Sequence, residues 1–225
     1  MDIKENLNRI KATLPAGVKL VAVSKTHPAE MLLEVYDAGQ RVFGENKVQE
    51  MTAKSQVLPK DIEWHFIGHV QSNKIKLMAP YVSVIQGVDT YDKLAEIDRQ
   101  ATRFGRHITC LLQLHIAQEE TKFGFAPEEL LTSDILHHTS HFVRICGIMG
   151  MASNTPDETR VRADFRRIRQ VFESLKSGEF ADRPEFKEVS MGMSHDYQIA
   201  VDEGSTMVRI GSSIFGARDY SKLKA

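Results

Sequence analysis

Short apolar runs and amphipathic segments alternate along this chain, and that rhythm restricts the fold more than any single motif does. The runs fall at residues 18–23, 41–46, 63–68, 82–88, 108–116, 143–149, 186–191 and 206–210. Between them, residues 28–38, 47–58, 72–78, 91–104, 127–138, 157–175 and 196–203 read as helices from their apolar spacing and stop signals. Ile3, Leu7, Ile10 and Leu14 line one face of a further, opening helix. Runs almost free of charge, such as residues 18–23, suit strands covered on both faces, which a parallel sheet with helical crossovers provides. Eight strands alternating with helices close more naturally into a barrel than they spread into an open sheet, although 225 residues is short beside the ~250 typical of such barrels. The expectation is an α/β chain that forms one (β/α)8 TIM-barrel domain over residues 1–225.

Charge narrows the function classes. Lys and Arg total 29 against 30 Asp and Glu, a net charge of -1, which predicts neither a nucleic-acid surface nor an anionic-membrane surface. The opening MDIKENLNRIKATL lacks the apolar core of a secretion signal, and no run approaches a membrane span, so a cytoplasmic location is expected. Cys110 and Cys146 sit in apolar runs without a C-x-x-C partner and read as buried thiols in a reducing compartment. Nine histidines without paired ligand spacing predict no metal site.

In a barrel of this kind the chemistry gathers at the C-terminal strand ends. The residues expected there are Lys25, Asn46, His65 or His69, His115, Met149, Ser194, Arg209 and Ser212. The last two strands lead into Gly192-Met193-Ser194 and Gly211-Ser212-Ser213. Glycine lets backbone amides approach a ligand, serine adds a hydroxyl, and a helix starting beyond adds its positive end. Either turn alone is an ordinary strand ending, but the pair matches the phosphate cup that barrels build after strands seven and eight. Lys25 stands in the polar turn after the first strand, where an arbitrary lysine is simply solvated. Desolvated and near a second cation such as Arg209, its amine would be held neutral and able to attack a carbonyl. Pyridoxal 5'-phosphate carries both an aldehyde and a phosphate, and is complementary to such a mouth.

The segments VAVSKTHP, FGENKVQE, WHFIGHVQSNK and SMGMSHDYQIAVDEGSTMVRIGSSIFGARDY, with the spacing between them, closely resemble the YggS/PROSC family of pyridoxal phosphate homeostasis proteins. The resemblance runs over nearly the whole chain, and implies the barrel of the alanine racemase N-terminal domain without that enzyme's second, β-rich domain. It implies that Lys25 carries pyridoxal 5'-phosphate as an internal aldimine, and that Ser194, Gly211 and Ser212, with Met193 in the same cup, hold the phosphate end. Asn46 is implied beside the ring and Arg209 opposite the pyridine nitrogen. A guanidinium cannot accept a proton, so it leaves that nitrogen largely neutral and the ring a weak electron sink. The racemases add a tyrosine from their second domain; here Tyr197 and Tyr220 are the local candidates, on a helix and in the tail.

The expected role is therefore a monomeric carrier that stores the cofactor and delivers it to apoenzymes that depend on it. The alternative is a weak amino-acid racemase. A remoter reading is a Schiff-base aldolase using Lys25, with Glu45 as its acid or base. His69, His195 and Tyr197 depart from the usual family pattern, Lys74 and Lys122 read first as solvated lysines, and Arg160, Arg162, Arg166, Arg167 and Arg169 form a basic run on the long helix, either solvated or a partner surface.

Overall fold

In a computed structural model that describes residues 2–116, 123–132, 135 and 142–217, eight parallel strands hydrogen-bond in sequence order and the eighth pairs back with the first. The strands are β1 (Lys19–Val23), β2 (Val42–Glu45), β3 (Glu63–Phe66), β4 (Val84–Val88), β5 (Ile108–Gln113), β6 (Val143–Met149), β7 (Glu188–Met193) and β8 (Met207–Ile210). Outside them lie α1 (Ile3–Thr13), α2 (Ala29–Asp37), α3 (Val48–Val57), α4 (Ser72–Met78), α5 (Tyr91–Phe104), α6 (Pro127–Thr132), α7 (Glu158–Ser177) and α8 (Tyr197–Asp202), with a single turn, α9 (Ser212–Phe215), after the last strand. The predicted barrel is the observed one.

Local chemistry sets the helix ends. The Asp2 side chain accepts from the amides of Lys4 and Glu5, Thr90 from Lys93 and Asp157 from Thr159 and Arg160, each satisfying first-turn donors that have no partner within the helix. Gly105 ends α5 in the left-handed conformation. Beyond Thr132, residue 135 apart, the predicted helix 127–138 lies outside the described residues, as do Lys122 and Tyr220. Strand β5 ends at Gln113 rather than at residue 116, and β7 is shifted along the chain. The sequence placed its end at residue 191, but the strand continues through Gly192 and Met193, and its pairing with β8 shifts between Ser190 and Met193. The Ser205 hydroxyl, donating within reach of the carbonyls of Met191 and Met207, supports that irregularity.

Strand alternation sorts the side chains. Ala22, Phe43, Trp64, Phe66, Ile85, Val189, Met191 and Val208 point outward into the helix-facing core, while Val21, Val84, Leu111, Met149 and Met207 form a smaller cluster inside the barrel. Met149 is thus a core residue and not part of the mouth. Cys110 is fully buried, but Cys146 is only partly so and lines a cavity of about 290 Å³ at the N-terminal end of the barrel. Burial raises both thiols above their ordinary pKa.

The arginines of α7 are neither free nor merely solvated. Arg162 and Arg166 both reach Glu203, each at 2.8 Å, Arg167 reaches Glu128 at 2.9 Å, Arg160 pairs with Asp164 and Arg169 with Glu173. Arg162, Arg166 and Arg167 thus tie α7 to its neighbours, and Arg169 also donates to the Gly204 carbonyl, while the Arg160–Asp164 and Arg169–Glu173 pairs lie within the helix, so each arginine of the predicted basic run has an acidic partner. Among the described residues no helix is long and apolar enough to cross a membrane, and no group of three or more His, Cys, Asp or Glu is placed to hold a metal.

Candidate functional site

At the C-terminal end of the barrel a cavity of about 520 Å³ gathers residues from six strand ends. Alternation explains much of it. With Val21 inside, Val23 and Lys25 follow on the same side, and on β8 Met207 is followed by Arg209. Asn46 arrives from the turn after β2, Met193, Ser194 and His195 from the end of β7, and Gly211 and Ser212 from the turn after β8. All seven residues predicted for the site, Lys25, Asn46, Met193, Ser194, Arg209, Gly211 and Ser212, line this one cavity. Ile67, Gly68 and Met151 complete its wall, and sequence reasoning missed all three, because their place depends on where the loops after β3 and β6 fold.

The charge of the lining is one-sided. It contains Lys25 and Arg209 and no carboxylate, so the cavity suits an anion. The glycine-serine side is built for close approach. The Ser194 hydroxyl accepts from the Gly211 amide at 3.2 Å, joining the two turns, and a Cβ on Gly211 would stand 2.9 Å from the carbonyl oxygen of Val23. Gly192 takes a φ of +94°, and a Cβ there would meet that of Ala200 at 2.6 Å. The buried Asp196 carboxylate accepts from the Met193 amide at 2.5 Å and fixes the end of β7.

Arg209 is 4% exposed and anchored from within the barrel. It donates to the Ser190 hydroxyl at 2.7 Å and to the Gly150 carbonyl at 3.1 Å. Ser190 in turn donates to the Gln86 carbonyl oxygen at 2.6 Å, and the Gln86 amide meets His65 Nδ1 at 2.9 Å. Burial pulls the guanidinium pKa down to about 10, still charged at neutral pH, and pulls His65 down to about 3, so that ring is neutral and Nδ1 accepts. His65 is therefore an interior residue beneath the mouth and not part of it.

The other expectations sort as follows. His69 stacks on Phe123 with centroids 3.5 Å apart and pairs with Asp89 at 3.2 Å, beside an adjoining cavity of about 350 Å³ that Lys74 also lines. The Tyr197 hydroxyl bonds to Thr13 of α1 at 3.0 Å and does not line the mouth. Glu45, expected at the mouth, is fully buried on the opposite side of its strand against Lys54 and Ser24. Missing from the sequence reading altogether were Lys54 and Glu50, of which the only trace is their i, i+4 spacing.

A lysine and a buried arginine facing a double glycine-serine turn can be compared with known proteins. The family described as "alanine racemase, N-terminal domain" matches residues 1–219. The pyridoxal phosphate homeostasis protein of Pasteurella multocida is 37% identical over 99% of this chain and 100% of its own length. That of Mus musculus is also 37% identical, over 99% of this chain and 85% of its own. The chain belongs to the pyridoxal phosphate homeostasis protein family. Among solved structures of similar proteins, PipY of Synechococcus elongatus without PLP superposes with a TM-score of 0.89 at 36% identity, covering 96% of this chain and 100% of PipY. PipY has also been solved with PLP bound, with a TM-score of 0.86 over the same share of this chain. Alanine racemase of Clostridium difficile shares the fold at 15% identity and a TM-score of 0.77, the match covering 97% of this chain and 56% of the racemase. Family membership thus agrees with the architecture and with the one-sided charge of the mouth.

Proposed function

We propose that this chain binds pyridoxal 5'-phosphate in the mouth cavity, holds it as a Schiff base through Lys25, and serves to store the cofactor and deliver it to apoenzymes. The observation that carries the reading is the convergence of Lys25, Arg209 and the Ser194–Gly211 contact on one cavity whose lining holds no carboxylate. The residues fit the group. Gly211 lets the turn after β8 pack directly on Val23, where a Cβ would crowd the carbonyl, and Ser194, Ser212 and the backbone with Met193 would supply polar contacts to the phosphate. Asn46 and Arg209 would take the ring, Arg209 as a fixed donor that cannot accept the ring nitrogen's proton.

When bound, the cofactor supplies an aldehyde to amines and an electron-accepting ring. Lys25 would be the residue that holds it, its amine condensing with the aldehyde with loss of one water. Arg209 would hold the ring nitrogen in its less electron-withdrawing state, which would favour holding the cofactor over turning over an amino acid. Tyr197, tied to Thr13 on the outside of the barrel, is not placed to act as a second base. The test is the visible spectrum of wild type and Lys25→Ala with pyridoxal 5'-phosphate, before and after borohydride. A yellow band reduced by borohydride and missing from the variant is expected, without racemisation of added amino acids. A wild type that stays colourless, or robust racemisation lost in Lys25→Ala, would refute the carrier reading.

A further inference from the structure

On the outer side of β1 and β2, under the Lys25 turn and facing α3, lies a buried polar cluster that lines none of the mouth. At its centre is Lys54, 6% exposed. Its ammonium donates to the Ser24 carbonyl at 2.9 Å, to Glu45 Oε1 at 2.7 Å and to Glu50 Oε1 at 2.7 Å. Both carboxylates lead back to the same turn. Glu45 Oε1 also accepts from the Ser24 hydroxyl at 2.7 Å, and Glu50 Oε1 from the Thr26 amide at 2.6 Å. Ser24 and Thr26 flank Lys25, so the backbone on both sides of it is tied to one ammonium.

The conformation being held is an expensive one. Thr26 is the only non-glycine residue with positive φ among the described residues, at 69°. A β-branched side chain is rare there, and its Oγ1 is buried with no hydrogen-bond partner. Strain of this kind persists only where the surroundings impose it, and it collects at functional sites. Nor is the cluster explained as a source of stability, because burying an ammonium and its carboxylates costs about as much in lost hydration as the pairing returns.

We propose that Lys54 is a positioning residue for Lys25: through the Ser24 carbonyl and, by way of Glu50, the Thr26 amide, it holds the strained turn that presents Lys25 to the cavity. This rests on the reading of Lys25 as the attachment residue. Glu45 completes the arrangement by orienting the Ser24 hydroxyl and Lys54 together.

The experiment follows the rate at which the full chain forms its Schiff base with pyridoxal 5'-phosphate, by visible absorbance and borohydride trapping. Wild type, Lys54→Met, Thr26→Gly and the double variant are compared. Lys54→Met is expected to slow formation by about tenfold or more, since displacing a reacting group by a fraction of an ångström is costly. Glycine takes positive φ without strain, so the double variant is expected to regain roughly threefold or more over Lys54→Met. A merely structural lysine would lower the melting temperature without this rescue. A folded Lys54→Met with the wild-type rate, or a slow one that Thr26→Gly does not restore, overturns the proposal. Should Lys54→Met fail to fold, Glu50→Gln, which leaves the Lys54–Glu45 pair intact, takes its place; a slower rate supports the proposal and an unchanged one overturns it. A wild type that forms no Schiff base at all refutes the reading of Lys25, and the proposal with it.

Discussion

Ser190→Ala tests the interior support of Arg209 without touching the mouth. Ser190 is completely buried and its hydroxyl does two things: it accepts from the Arg209 guanidinium at 2.7 Å and donates to Gln86 at 2.6 Å. A buried hydrogen bond to a charged group contributes about 1.5–3 kcal/mol and a neutral one about 0.5–1.5, so losing both should cost about 3 kcal/mol. Ser205→Ala is the control. That serine is also buried, but its hydroxyl only donates, to backbone carbonyls of β7 and β8, and its loss should cost about 1 kcal/mol. For a chain of this length, about 3 °C of melting temperature is lost per kcal/mol, giving about 9 °C for Ser190→Ala against about 3 °C for Ser205→Ala. Thermal and urea unfolding of the cofactor-free protein measure both. If Ser190→Ala proves no more costly than Ser205→Ala, the Arg209 to Gln86 relay is not a supporting element, and the argument that Arg209 is held from inside the barrel fails.

Gly211→Ala places a methyl group 2.9 Å from the Val23 carbonyl and should weaken pyridoxal 5'-phosphate binding by about tenfold or more, with little change in Lys25 reactivity toward a simple aldehyde; titration of each ligand separates the two. Two buried groups give opposite pH signatures. Burial pushes the Glu45 carboxyl from 4.5 up to about 7 despite the Lys54 charge, so the folded state keeps a proton the unfolded state has lost, and stability falls as pH rises through that window. His65, pulled down from 6.5 to about 3 by burial, does the reverse: the unfolded state takes up the proton first, and stability is lost as pH falls from 6.5 toward 3. Urea midpoints across pH should therefore show Glu45→Gln stripped of the first slope and His65→Asn of the second; retention of either slope in its own variant would count against that assignment.

Much of the site was legible because it is made of turns. A Gly-Ser pair after each of two strands, and a lysine after another, announce themselves through residue type, and the barrel then brings them to one rim. What supports them was not legible. Lys54 meets Ser24 across 30 positions in sequence, and its burial follows from how α3 packs on β2, which periodicity does not encode. The same holds for the interior serine, glutamine and histidine, each of which reads in isolation as a polar interruption of a strand. Glu45 was misplaced by one step of alternation, since Asn46, its neighbour, is the residue that turns inward. Arg162, Arg166 and Arg167 looked available because their partners, Glu203 at the end of α8 and Glu128 on α6, lie 37 to 41 residues away.

Lys25 and Arg209 are braced from opposite sides of the same barrel wall. The lysine turn is held from outside, by α3, and the arginine from inside, by β4 and β7. Among the described residues the two sets of hydrogen bonds share no member, so substitutions in the two should combine additively. On the proposed function, the two ends of the cofactor ring would be gripped by separate mechanical parts, and evolution could loosen the hold on the ring nitrogen while leaving the reach of the lysine as it was.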